Sequence, residues 1–165
     1  MPILMLMRHA KSDWDAGASD DHSRPLAPRG IRAAQQMGEA VSELGIVPDL
    51  VVSSTANRAR STAEVARITG GWSCRLVLDD ALYGGSVAET IACAVHHSGD
   101  RERIMLVGHQ PTWSMTVEFI TGAHVAMRTA AIADIELQID DWSQIARESG
   151  TLVALLQPRR IVDQP

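Results

Sequence analysis

The stretch Ile3-Leu4-Met5-Leu6-Met7-Arg8-His9 decides the fold. Residues 3–7 form a continuous apolar run, and a short run of this kind is typical of a strand buried on both faces of a parallel sheet. An arginine and a histidine follow the run at once. The sequence therefore predicts a central β-strand whose last residues are suited to anion chemistry.

Outward from this strand, apolar runs alternate with helical patterns, and glycine follows the end of most predicted helices. Strands are predicted at residues 50–53, 76–78, 104–107 and 151–156. Helices are predicted at residues 28–44, from the candidate N-caps Ser54 and Thr55 to Gly70, at 89–97, and from Pro111 to about Gly122. This alternation predicts the α/β class, as a three-layer αβα sandwich around a mixed, mostly parallel central sheet.

One further strand has a different pattern. Between residues 133 and 139, apolar and polar side chains alternate strictly. Strict alternation indicates a strand with one face in water. We therefore expect an antiparallel strand with a wet face, near an edge of the sheet.

Composition narrows the function classes. The 165 residues are 45% hydrophobic, enough for one buried core, and no repeat, low-complexity tract or linker divides them, so a single domain over 1–165 is expected. Lys and Arg total 15 against 20 Asp and Glu, a net charge of -5. Because non-specific nucleic-acid binding needs a basic footprint, no nucleic-acid partner is expected.

Neither a membrane span nor secretion is expected. The longest apolar runs are far shorter than the roughly 20 residues that cross a bilayer, and the first residues lack the pattern of a signal peptide. Cys74 and Cys93 do not form a CxxC motif. We interpret them as reduced thiols of a cytoplasmic protein.

Polar residues suited to anion binding follow three of the predicted strands. Arg8 and His9 end the first strand, Ser53 and Ser54 end the second with Arg58 one turn into the next helix, and Gly108-His109-Gln110 ends the fourth. Ligands of open α/β sheets bind outside the carboxyl ends of the strands. Two arginines, two histidines and two helix N-termini there predict a site for a dianion, most simply a phosphoryl group.

The four side chains suggest a division of labour. A neutral imidazole is a competent nucleophile toward phosphorus, so His9 is the predicted nucleophile and His109 the donor to the phosphoryl oxygens. Arg8 and Arg58 would stabilise the phosphoryl charge and lower the pKa of the histidine that they flank. With arginines supplying the positive charge, the mechanism needs no metal and no cofactor.

Residues 8–15, Arg-His-Ala-Lys-Ser-Asp-Trp-Asp, resemble the Arg-His-Gly-Glu-Ser-x-Trp-Asn signature of the histidine phosphatase superfamily, the phosphoglycerate-mutase-like proteins. The similarity continues in order through residue 122, with Arg24-Pro25-Leu26, Gly30, Pro48-Asp49, Ser53-Ser54, Arg58, residues 62–64 and the run Val-Gly-His-Gln-Pro at 107–111. The short length and these blocks resemble the SixA-type phosphohistidine phosphatases. The resemblance implies transient phosphorylation of His9, with the phosphoryl group bound by Arg8, Arg58, His109, Gln110 and Ser12.

Two positions depart from the signature. Lys11 replaces a glutamate, and Asp15 stands where the mutases have a phosphate-binding asparagine, so Asp15 is given no binding role. The run Asp80-Ala81-Leu82-Tyr83-Gly84-Gly85 is similar to the Glu-x-x-Tyr-Gly-Gly stretch of the mutases. This similarity makes Asp80 the candidate general acid, although an imidazole leaving group needs less help from an acid than an alkoxide does.

Plainer interpretations compete at several residues. A zinc site at Cys93, His96 and His97 is disfavoured because no fourth ligand is apparent. Trp113 and Trp142 are predicted to pack in the core, and His22 to lie in an exposed loop.

Three functions remain open. The first is a metal-independent phosphatase that dephosphorylates phosphohistidine on a signalling protein and releases inorganic phosphate, since short connections leave little chain for a lid over a small molecule. The second is a small-molecule phosphomonoesterase using the same site. The third is a non-catalytic phospho-ligand binder.

Overall fold

The computed structural model describes residues 1–158, so residues 159–165 of the predicted domain lie outside the described range. The strands are β1 (Ile3–Arg8), β2 (Leu50–Ser53), β3 (Arg75–Leu78), β4 (Arg103–Gly108), β5 (Ile132–Leu137) and β6 (Gly150–Leu156). The helices are α1 (Pro28–Glu43), α2 (Asn57–Thr69), α3 (Val87–Ser98) and α4 (Thr112–Thr121), with single 3₁₀ turns at Asp80–Leu82 and Trp142–Gln144.

The six strands form one sheet in the order β3-β2-β4-β1-β5-β6. β1 to β4 pair in parallel, and β5 runs antiparallel to both β1 and β6. The central position predicted for β1 is confirmed, as is the mixed, mostly parallel sheet of the three-layer α/β sandwich.

Alternate residues of β1 supply two separate cores. Met5 and Met7 pack with α1 and α2 on one face, whereas Leu4 and Leu6 pack with α3 and α4 on the other. All four side chains are fully buried. A strand covered on both faces has no need of polar alternation, which explains the continuous apolar run.

Two local predictions were wrong. β5 is antiparallel as expected, but neither of its faces is fully exposed to water. β6, and not β5, forms the edge of the sheet. Asp134 is only 6% exposed, and its carboxylate pairs with Arg103 at 2.9 Å, so the buried charge is neutralised. The N-cap of α2 is Ala56, with no side-chain cap. Ser54 instead accepts a hydrogen bond from the Ala56 N–H, and its side chain lies in the site described below.

Other expectations agree with the structure. Trp113 and Trp142 are buried, Cys93 is a buried free thiol, and Cys74 is a partly buried one. None of the helices within residues 1–158 has the length and apolar character needed to cross a bilayer.

Candidate active site

The pairing of β1 with β4 brings the two predicted histidines together. In the parallel register Arg8 lies opposite Gly108, and the His9 N–H donates to the Gly108 carbonyl at 2.9 Å. The residue that follows each of these two strands is a histidine, so His9 and His109 lie side by side. The ring centroids of His9 and His109 are 5.3 Å apart.

The neighbouring strand β2 adds the third component. The Ser54 N–H donates to the Val107 carbonyl, which places Ser54 beside the end of β4. Its Oγ lies 2.8 Å from His109 Nε2. One turn further, in the first turn of α2, Arg58 is 7% exposed. The predicted convergence at the carboxyl edge of the sheet is thus present.

The hydrogen bond of His9 selects its tautomer. His9 Nδ1 lies 2.7 Å from the Ala10 carbonyl oxygen, which can only accept. Nδ1 must therefore carry the proton, and in the neutral ring Nε2 keeps its lone pair. Ala10 is held in turn, because its N–H donates to Thr62 Oγ1 and Thr62 donates to the Arg58 carbonyl.

Both rings stay neutral at physiological pH. Burial is the main cause that lowers the pKa of His9 to about 4, and Arg58, Arg8 and Arg24 lower it further. Burial, followed by His9 and Arg58, lowers the pKa of His109 to about 3. The expected effect of the arginines is present, but desolvation is the larger cause.

Unpartnered polar atoms concentrate at these residues. Within residues 1–158, three of the four buried side-chain nitrogens without a hydrogen-bond partner are Arg8 Nε, Arg58 Nε and His109 Nδ1. Buried donors are normally satisfied, and each unsatisfied one costs about 1–3 kcal/mol. An anion bound among these side chains would accept from the two arginine N–H groups, and from His109 in the tautomer that carries its proton on Nδ1.

A carboxylate that the sequence did not indicate joins the arginines. Asp21 accepts from Arg24 Nη1 at 2.6 Å and from Arg58 Nη2 at 3.0 Å, and the Tyr83 hydroxyl donates to it at 2.8 Å. The bond from Tyr83, together with those from the two arginines, lowers the pKa of Asp21 to about 2. Asp21 is therefore ionised at every physiological pH.

The family follows from sequence comparisons. A model of the histidine phosphatase superfamily (branch 1) matches residues 4–83. An uncharacterised protein of Mycobacterium tuberculosis is 36% identical over 165 aligned residues, which cover 93% of this chain and 100% of that protein. The chain belongs to the histidine phosphatase superfamily.

Solved structures narrow the resemblance. A protein of Nakamurella multipartitia assigned as a phosphohistidine phosphatase, SixA, matches with a TM-score of 0.84 and 29% identity, over 95% of this chain and 96% of that one. One from Agrobacterium tumefaciens with the same assignment gives a TM-score of 0.80 and 26% identity, over 96% and 99% of the two chains. This histidine phosphatase therefore falls in the SixA-type group, and it is an enzyme that hydrolyses a phosphorylated substrate.

The connection between β1 and α1, residues 9–27, shapes the site of this phosphatase. It is much longer than the short connections inferred from sequence, and it carries both Asp21 and Arg24. Arg24 is 7% exposed, and its guanidinium lies 3.5 Å from the Trp14 ring. Its charge contributes to the lowered pKa values of both His9 and His109.

Two phosphate ligands implied by the resemblance already have hydrogen-bond partners in the protein. Ser12 Oγ accepts from Arg24 Nε at 2.9 Å, which leaves its hydroxyl proton for another acceptor. The Gln110 amide makes two bonds to Ser114, one from Nε2 to Oγ and one from the Ser114 N–H to Oε1. Gln110 thus stabilises the first turn of α4.

Asp80 lies on the 3₁₀ turn Asp80–Leu82 beside the same site. It is exposed, and its carboxylate accepts from Thr55 Oγ1 at 2.6 Å. Since the single proton of Thr55 goes to Asp80, His22 Nε2 must donate to Thr55 across their 2.9 Å contact. His22 also packs edge-on against Tyr83, so it is more than the exposed loop residue expected.

A cluster of Asp79, Cys93 and His97 holds the 3₁₀ turn that carries Asp80. Asp79 caps the turn through the Ala81 N–H, and its other oxygen contacts His97 Nε2 at 2.8 Å and Cys93 Sγ at 3.5 Å. Burial, with Asp79 nearby, raises the pKa of Cys93 to about 12. Asp79, rather than His96, completes the group that the sequence had suggested as a weak zinc candidate.

The lowered pKa of His9 gives a direct test. Since the pKa is about 4, the ring stays neutral while the pH falls from 7.5 to 5, whereas an ordinary histidine with a pKa near 6.5 becomes mostly protonated. NMR titration of the His9 Cε1–H resonance, assigned with the His9→Ala variant, is expected to show a flat line over this range. A midpoint between pH 6 and 7 would contradict the desolvated environment.

Asp21 is expected to compete with the bound phosphoryl group. In the Asp21→Asn variant the two guanidinium groups lose their internal counter-ion, so the inhibition constant of inorganic phosphate should fall by roughly three- to tenfold, a modest gain because Asp21 is half exposed. Asp20→Asn is the matched control, since Asp20 binds only Ser23. Weaker phosphate binding in Asp21→Asn would show instead that Asp21 mainly orients the arginines.

Proposed function

We propose that this phosphatase works through a covalent phosphohistidine on His9, without a metal, and that it removes phosphoryl groups from phosphohistidine on a signalling protein. The observation that carries the proposal is the His9–Ala10 hydrogen bond, which leaves Nε2 unprotonated. A lone pair on a neutral ring, flanked by cations that attract a phosphoryl dianion, is the requirement for nucleophilic attack on phosphorus.

In the first step the Nε2 lone pair of His9 attacks phosphorus, and the bond to the leaving group breaks with its electron pair. The leaving group takes a proton from an acid or from water. Arg8 and Arg58 stabilise the charge on the phosphoryl oxygens. In the second step water attacks phosphorus, the N–P bond breaks, its electrons return to Nε2, and inorganic phosphate leaves after the water gives up a proton.

His109 acts as a donor in this scheme. If the Ser54 hydroxyl donates to Nε2, the ring proton of His109 is on Nδ1, the buried atom without a partner among the described residues. An N–H at this position would donate to a phosphoryl oxygen. In this arrangement the Ser54 hydroxyl keeps the ring proton of the second histidine on Nδ1, whereas the Ala10 carbonyl, which can only accept, sets the tautomer of the first.

The choice of phosphohistidine rests on the leaving group. Imidazole is expelled more easily than an alkoxide, and the only acid predicted for this step, Asp80, is exposed and already accepts a hydrogen bond from Thr55. Such a carboxylate is open to water and engaged with Thr55, and it is not enclosed against a leaving atom. A substrate that needs little protonation therefore fits this site best.

Trapping of the intermediate tests the mechanism. With ³²P-labelled phosphoramidate or a phosphohistidine protein, we expect label on His9 that is lost in acid and survives alkali, as an N–P bond requires. His9→Asn should abolish the label and lower turnover by about a thousandfold or more. The control is His22→Asn, which removes a histidine beside the site that does not attack phosphorus, and this variant should keep the label. Turnover without label at His9 would overturn the proposal.

A second candidate, hydrolysis of small phosphate monoesters, is favoured by the position of Asp80 in the network with Thr55 and His22. If Asp80 protonates an alkoxide, Asp80→Asn should lower turnover of an alkyl phosphate by about a hundredfold and that of phosphohistidine by no more than about threefold. Asp100→Asn, an exposed aspartate before β4, is the control. Comparison of the rates of the unaltered enzyme on the two substrates identifies its substrate class.

A further inference from the structure

A hollow of about 560 Å³ lies beside the active site at the same edge of the sheet. Its charged lining consists of Arg8, Lys11, Arg29 and Arg128. These residues come from the end of β1, the loop after it, the first turn of α1 and the loop before β5. They meet because β5 is antiparallel to β1, so that its first residue lies at the carboxyl end of β1. We call this feature the basic hollow.

Among residues 1–158, no acidic side chain lines the basic hollow. Every charged side chain in its lining is a cation, although the whole chain carries a net charge of -5. In the part of the chain that the structure describes, Lys11, Arg29 and Arg128 make no ion pair. Mutual repulsion of such groups is relieved by a bound anion.

The start of α1 strengthens the positive field. Its N-cap, Ala27, makes no side-chain cap, and its first turn contains no acidic residue. The positive end of a helix dipole attracts anions, whereas a cation there destabilises the helix. Arg29 occupies this first turn nevertheless. Its position costs stability in the free protein and favours binding of a negatively charged group.

Arg8 links the basic hollow to the catalytic residues. It lowers the pKa of His9, and it also lines the hollow. Its Nη1 donates to the Met127 carbonyl at 3.0 Å, and this bond holds the guanidinium in place between His9 and the basic hollow. A ligand group in the hollow would therefore be a close neighbour of the phosphoryl group on His9.

We propose that the basic hollow binds a second anionic group of the substrate, so that the enzyme selects phosphorylated molecules with another negative charge near the phosphoryl group. In a protein substrate this group is an acidic side chain flanking the phosphorylated residue. In a small molecule it is a carboxylate or a second phosphate. The inference rests on the proposed function for the position of the phosphoryl group, and it adds the charge of the preferred substrate.

The test uses the double variant Arg29→Gln/Arg128→Gln, whose two side chains are exposed and take no part in the chemistry. The matched control is Arg32→Gln/Arg75→Gln, which removes the same charge from α1 and the far edge strand. Two substrate pairs separate the sources of the anion. One pair is a phosphohistidine peptide with acidic or with neutral flanking residues, and the other is carboxyphenyl phosphate or phenyl phosphate.

For the acidic member of at least one pair, we expect the Arg29/Arg128 variant to raise KM about tenfold with kcat unchanged, because two exposed ion pairs are lost. KM for the neutral member should stay within about twofold, and the effect should shrink between about 0.02 and 0.3 M salt. The pair that responds identifies a protein or a small-molecule source.

An equal KM change for the neutral members, the same change in the control variant, or no change in either pair would overturn the inference. These outcomes are independent of the trapping experiment. If label is found on His9 and the KM ratio does not move, the catalytic proposal stands and only the selectivity fails. If no label forms at His9, the catalytic proposal fails by itself.

Discussion

The register between β1 and β4 is the constraint on which the rest of the structure depends. Because residues of a strand alternate between faces, a slip of one position would turn Leu4 and Leu6 to the opposite core and separate His9 from His109. Trp113 opposes such a slip, since its indole N–H donates to the Met7 carbonyl at 2.9 Å. A Cβ at Gly108 would lie only 2.5 Å from the Trp113 ring, so the glycine permits this packing. Core packing and site geometry are thus set by the same contacts.

The carboxyl edge of the sheet is positively charged, although the whole molecule is negatively charged. The chain is anionic, yet buried Arg24 and Arg58 meet there with Arg8 and the cations of the basic hollow. One ionised carboxylate, Asp21, pairs with two of these arginines. Burial keeps both histidines neutral, so the cations surround nucleophilic rings rather than add to a repulsive positive cluster. The result is a preformed site for an anion that an imidazole can attack.

The surroundings of Asp80 contrast with those of the histidines. His9 and His109 are held by backbone contacts of buried strands, whereas Asp80 belongs to a short exposed turn that Asp79 holds from behind. Precise positioning thus lies with the groups proposed to bind and attack phosphorus, and less with the group that would protonate a leaving atom. This asymmetry favours a substrate whose leaving group departs readily. The basic hollow, in turn, extends the positively charged surface beyond the proposed phosphoryl site.

By itself, the sequence determined the strands, the helices and the four residues at or just beyond the strand ends, because buried parallel strands leave long apolar runs and the carboxyl ends of such strands share one edge. It did not reveal that Asp134 is buried, since alternation records only the polarity of a side chain and not the Arg103 that neutralises it. Nor did it indicate Asp21 or the site role of Arg24, because a loop has no periodicity from which the direction of a side chain follows. The contact that sets the tautomer of His9, the lowered pKa values and the basic hollow were decided only by the tertiary structure, because each depends on how the folded chain orients and buries these groups.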